Sequence, residues 1–221
     1  MTTTDTLREL VREERRTLID TLAPLAEDQW GTPSRCAGWR VGDVAAHLAW
    51  APVVGVLEGS VAMARHRFSM NRMIARSAIG WSDRGRDAIL QQLEENLRTD
   101  AKPIGMPVVA ALADAVVHGL DVRRPLALTR AAPAQALDPL ADFVVGTPWP
   151  MNAVVGGSAR RRLAGVRMVA SDADWSWGDG AEVRASSEAL VLVLYGRPPR
   201  ADELTGAGAD LLRSRLSGFP A

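Results

Sequence analysis

Apolar residues recur at three- and four-residue spacing through most of the first 125 positions, and that period predicts a helical protein. Leu7, Leu10, Val11, Leu18, Ile19, Leu22 and Leu25 form the first such stripe, opened by Thr6-Leu7-Arg8-Glu9 in the form of a capping box, so helix 1 is expected to run to about Ala26. A loop follows from Trp30 to Gly38, marked by Pro33, Ser34 and Gly38. Helix 2 begins near Val41 and continues to about Arg67, kinked at Pro52. Ser82 or Asp83 caps helix 3, whose stripe is Ile89, Leu90, Leu93 and Leu97. Helix 4 spans about Pro107 to Arg123 and is closed by Pro125. Four such helices make a bundle.

Beyond a weaker helix at 134–145 the pattern changes. Gly146, Pro148, Pro150, Gly156 and Gly157 read as a linker. A strand is expected over 163–170, a turn over 172–180, a returning strand over 181–185, then short helices over 187–195 and 209–216. The fold expected is mainly α, a helical bundle over residues 1–146 followed by a small α+β domain over 158–221.

Charge removes some function classes. The 26 basic and 26 acidic side chains cancel, which argues against a general attraction to nucleic acid or an anionic membrane. The densest basic run, Arg160-Arg161-Arg162, reads as a solvated start to a strand. No apolar run reaches the ~18 to 20 residues of a membrane span, and the polar stretch Met1 to Leu10 is no signal peptide. One cysteine, Cys36, cannot form an internal disulfide, so a cytoplasmic setting is expected.

The candidate chemistry lies on helices 2 and 4. Asp114 and His118 are four residues apart, so both project from one face of helix 4. His47 falls on the apolar side of helix 2. These three can share a metal ion, and a cation there offsets the cost of burying Asp114. The plainer alternative is a hydrogen-bonded polar cluster without an ion. Asp121 sits one turn further on and either orients His118 or pairs with Arg124. His66, between Arg65 and Arg67, reads as a surface residue, Cys36 as a small loop hydrophobe with a nucleophilic role the lesser alternative, and Trp39 and Trp50 as core or pocket wall.

Trp30-x2-Pro33-Ser34-x-Cys36-x-Gly38-Trp39-x-Val41-x2-Val44-x2-His47-Leu48 resembles the N-terminal signature of the mycothiol-dependent maleylpyruvate isomerase family, within the DinB-like metal-binding superfamily. Asp114-x3-His118-Gly119-x-Asp121-x-Arg123-Arg124-Pro125-Leu126 resembles its second signature. Asp174-Trp175-Ser176-x-Gly178-Asp179-Gly180, Gly196-Arg197-Pro198 and Glu203-Leu204-Thr205-Gly206 are similar to its small C-terminal domain. The resemblance implies a DinB-like four-helix bundle, a divalent metal such as zinc on His47, Asp114 and His118, and mycothiol as thiol cofactor. Aspartate stands at position 114 where the isomerase type has glutamate, a reach shorter by one methylene. The family's activity-linked arginine corresponds to Arg197, expected to act in catalysis and cofactor binding, with Arg124 a further candidate for holding a carboxylate or polar thiol.

Three protein ligands leave one position open, the pattern of catalytic sites. A thiol bound there would become a metal-bound thiolate, adding to a small electrophile either reversibly, as an isomerase, or to give a conjugate, as an S-transferase. The alternative is a non-catalytic metal-binding or ligand-sensing module with the same fold.

Overall fold

The computed structural model describes residues 3–216; Met1 and Thr2, at the head of the polar stretch, lie outside them. The chain divides at 129/130 into two compact units.

In the first unit α1 (Thr4–Leu22) is capped by Thr3, whose hydroxyl accepts from Thr6 N–H at 3.2 Å. The cap therefore falls one turn before the expected box. Leu10, Val11, Leu18 and Leu22 turn inward against α6 (Arg86–Arg98) and α7 (Val108–Arg123). After the short α2 (Glu27–Trp30), α3 (Val41–Trp50) buries nine of its ten residues between α5 (Met70–Ser82), α6 and α7.

The long second helix of the sequence reading is three elements. α3 stops at Trp50, α4 (Val56–Arg65) follows, and α5 fills a segment read as connection. Pro52 accounts for the first break, because its ring clashes with the carbonyl four residues back and it offers no N–H. Ser82 and Asp83 close α5 instead of opening α6, whose N-cap is Gly85 at φ +84°. The bundle proper is α1, α3, α6 and α7, with the α4–α5 hairpin inserted between its second and third helices.

The second unit begins at Arg130, so α8 (Ala134–Gly146) belongs here and not to the bundle. Its buried Leu137, Leu140 and Val144 face α10 (Ser187–Leu194). The expected linker is packed structure: Gly156 at φ +92° lies so close to Tyr195 that a Cβ would sit 1.9 Å from its carbonyl oxygen. Arg160–Arg162 belong to a helical turn, α9 (Ala159–Arg162). Arg162 is 2% exposed and donates to the carbonyls of Val193 (2.8 Å), Leu194 (2.6 Å) and Gly156 (2.9 Å), serving the C-terminal end of α10.

The sheet order is β2-β1-β3, with β1 (Val166–Ala170) central. β2 (Ser176–Trp177) pairs antiparallel with β1. β3 (Ala181–Ala185), expected to return antiparallel, runs parallel to β1, with Val166 opposite Ala181 and Ala170 opposite Ala185. The chain reverses once into β2 and once again after it, so β3 runs in the direction of β1 on the side opposite β2. α11 (Ala209–Leu216) closes the described part of the unit.

Candidate metal centre

His47 lies in the third turn of α3 and is 6% exposed. α7 is apolar around most of its circumference, which sinks it into the bundle and takes Asp114 and His118 with it. A ligand atom from each of His47, Asp114 and His118 lies within 4.8 Å of the others. The imidazole centroids of His47 and His118 are 5.0 Å apart and nearly perpendicular, at 78°. Donor atoms around a tetrahedral zinc ion stand about 3.3 Å apart, as follows from bond lengths near 2.0 Å. Two imidazoles and a carboxylate match the donor set of metal sites that keep an open position.

His118 is held from behind. Its Nδ1 lies 2.9 Å from Asp121 Oδ2, and Asp121 is fully buried. The carboxylate accepts, so Nδ1 carries the proton and Nε2 presents its lone pair away from Asp121. This contact suits the first role read for Asp121, orienting His118. The Cys36 thiol also donates to Asp121 Oδ2 at 3.2 Å, and its Sγ is 3.6 Å from His118 Nδ1. Burial alone would lower the His118 pKa, but the adjoining Cys36 sulfur and the hydrogen bond to Asp121 outweigh it, pushing the pKa up to about 10. A cation bound at Nε2 would take the place of a proton there.

The loop at 31–40 brings Cys36 and Trp39 here. Ser34 closes it, its N–H and hydroxyl both donating to Trp39 C=O at 2.8 and 2.9 Å, while Arg35 N–H donates to Asp121 C=O at 3.2 Å. Trp39 forms a wall, its ring 5.4 Å from that of His47 and 6.4 Å from that of His118. The Cys36 contact was not legible in spacing, since Cys36 and His118 are 82 positions apart, whereas Trp39 takes one of the places read for it, beside the two histidines.

Arg15 of α1, 8% exposed, donates to Asn96 C=O (3.0 Å) and Ala101 C=O (2.5 Å), and its charge acts on Asp114. Both line one small cavity in the bundle, of about 20 Å³. Arg124 is the C-cap of α7 and half-buried. Arg197 belongs to the second unit, where its N–H donates to Leu192 C=O at 2.8 Å and its Nη1 to Tyr195 C=O at 3.3 Å. No helix among the described residues is long and apolar enough to cross a membrane.

Two solved structures share the fold along 94% of both chains: the mycothiol-dependent maleylpyruvate isomerase, with a TM-score of 0.60 at 14% identity, and a histidine-to-alanine mutant of it, with 0.59 at 13%. No curated protein matches the sequence. Residues 11–123, about half of the chain, running from within α1 to the end of α7, match the model of the mycothiol maleylpyruvate isomerase N-terminal domain. The chain belongs to that family.

Proposed function

We propose that this protein is a metal-dependent, thiol-using enzyme in which His47, Asp114 and His118 hold one divalent ion, zinc by donor chemistry, beside a site for a small thiol, mycothiol by family. The observation that carries the reading is the convergence of those three side chains, from two helices, within 4.8 Å in a member of this family. The ion, when bound, lowers the pKa of a coordinating thiol and so supplies a nucleophilic sulfur at neutral pH.

The chain's own residues then divide the work. Asp121 fixes the tautomer and plane of His118. Trp39 stands against His47, its ring 5.4 Å away, and would form one wall of the site. Arg124 and Arg197 are the guanidinium groups assigned to hold a carboxylate of the electrophile or a polar arm of the thiol, with Arg197 contacting the cofactor. The reaction is isomerisation of a small activated alkene through reversible thiol addition, or S-conjugation of a small electrophile by the same addition. The setting is the cytoplasm.

The test is elemental analysis of protein purified without chelator, followed by thiol-dependent isomerisation and conjugation assays with mycothiol and a panel of small electrophiles. The expected result is one ion per chain, with turnover that is lost in the His47→Ala variant together with the metal. Folded protein that neither contains nor takes up a divalent ion would overturn the reading. An ion without turnover would identify the non-catalytic sensing module instead.

A further inference from the structure

α4 is built inside out. At 100° per residue, Val56, Leu57 and Val61 share one face of this helix and are 70%, 79% and 42% exposed, whereas Gly59, Ala62 and Met63 lie on its half-buried side. A helix on a protein surface ordinarily turns its large apolar residues the other way. Of the ten exposed large hydrophobic residues described, six fall between positions 53 and 70. This concentration of exposed apolar residues on one hairpin is the composition of an interaction surface.

The turn between α4 and α5 strengthens this display. Arg67 and Phe68 both have left-handed backbones, φ +55° and +59°, and Phe68 is 77% exposed. A bulky residue is disfavoured in that region. The turn holds the phenyl ring out in solvent at that cost.

Charge says what the face meets. Arg65, Arg67, Arg72 and Arg76 lie on this hairpin and all are exposed. The ion pairs found among the described residues lie elsewhere. Between positions 53 and 81 the only acid is Glu58, which accepts from Trp50 Nε1 at 3.1 Å. The neutral total of the chain thus conceals a hairpin carrying four arginines against one glutamate. Exposed Leu, Val and Phe beside uncompensated arginines are the composition of segments that lie in the headgroup region of anionic bilayers. A second copy, docked face to face, would bring the same four positive charges together.

We infer that the α4–α5 hairpin is a peripheral docking surface for an anionic lipid bilayer, with Val56, Leu57 and Phe68 entering the headgroup boundary and the four arginines meeting lipid phosphates. The surface does not cross the membrane and is independent of the metal-site reading.

The experiment is sedimentation of the full chain with vesicles of phosphatidylcholine alone or mixed with phosphatidylglycerol. The protein is expected to pellet with the anionic vesicles only and to be released by salt. Each arginine replaced by glutamine should lower partitioning about fivefold. Leu57→Gln with Phe68→Gln should abolish partitioning while the melting curve is unchanged, since both side chains are solvent-exposed. Equal recovery with both vesicle types, no recovery with either, or full retention by the Leu57/Phe68 variant would overturn the inference. So would vesicle-free self-association that the same pair removes, which would assign the face to a second copy, or binding to duplex DNA at equal salt with no vesicle binding.

Discussion

His118 Nδ1 lies 2.9 Å from Asp121 Oδ2, and this contact decides which nitrogen of the ring is left to bind. An imidazole anchored by a buried carboxylate is a better-placed and more basic ligand than a free one. Asp121→Asn keeps the shape but removes the charge and permits the amide to donate, favouring the wrong tautomer. Metal affinity is expected to fall by about 10- to 100-fold. Competition against a chromophoric chelator measures it; an unchanged affinity would show that His118 needs no anchor.

Removal of the ion should also register as lost stability. A ligand that binds only the folded state stabilises it by RT ln(1 + [L]/Kd), about 2.7 kcal/mol when free metal stands at 100 times Kd. Chelator is therefore expected to lower the melting temperature of the parent protein but to leave the His47→Ala and Asp114→Ala variants where they were. Equal shifts in all three would place the bound ion elsewhere. Asp114→Glu is a useful companion, since it restores the longer reach of the isomerase type and should retain the chelator-sensitive shift.

The helices of the bundle were legible because their periodicity is local. Periodicity placed α1, α6 and α7 within a few residues, and the four-residue spacing of Asp114 and His118 put them on one face of a single helix. What was missed depends on distant contacts. Cys36 reaches the site only because the loop is tied to α7 through Arg35 and Asp121. α5 escaped because Arg72 and Arg76 interrupt a stripe whose inward residue, Ala78, is small. The glycines at 156 and 157 read as a linker because a φ that only close packing requires leaves the same sequence mark as flexibility. The direction of β3 was misread because the two-residue β2 is too short to show a period.

Asp43, third residue of α3 and 2% exposed, accepts from Arg40 N–H at 2.8 Å and from its guanidinium at 3.0 and 3.1 Å. Burial alone would raise its pKa, but these bonds outweigh burial and hold it below the ordinary carboxylate value. A carboxylate depressed in the folded state contributes stability that is fully present above its unfolded value, near pH 4, and is lost as pH falls through the folded value. Asp43→Asn is expected to cost about 0.5–2 kcal/mol at pH 7 as a weakened helix cap. Urea midpoints of parent and variant should converge below about pH 4. A gap that stays constant down to pH 2 would remove the charge from the account.

In the second unit the crossing of Gly156 and Gly196 predicts a larger effect. A Cβ on Gly156 would meet Tyr195 O at 1.9 Å, and one on Gly196 would meet Gly156 O at 2.4 Å, so neither backbone can accept a side chain without moving. Arg162 ties the same crossing by donating to Gly156, Val193 and Leu194, and its burial lowers its pKa to about 10, leaving it charged at neutral pH. Gly156→Ala adds strain at φ +92° to the steric conflict and is expected to destabilise the unit by more than about 1 kcal/mol. Arg162→Met strands three carbonyls and should cost about 3 kcal/mol or more. Hydrogen exchange separates the two units: protection should fall in α8, α10 and β1, while α3 and α7 keep theirs. Uniform loss across both units would mean that they unfold together.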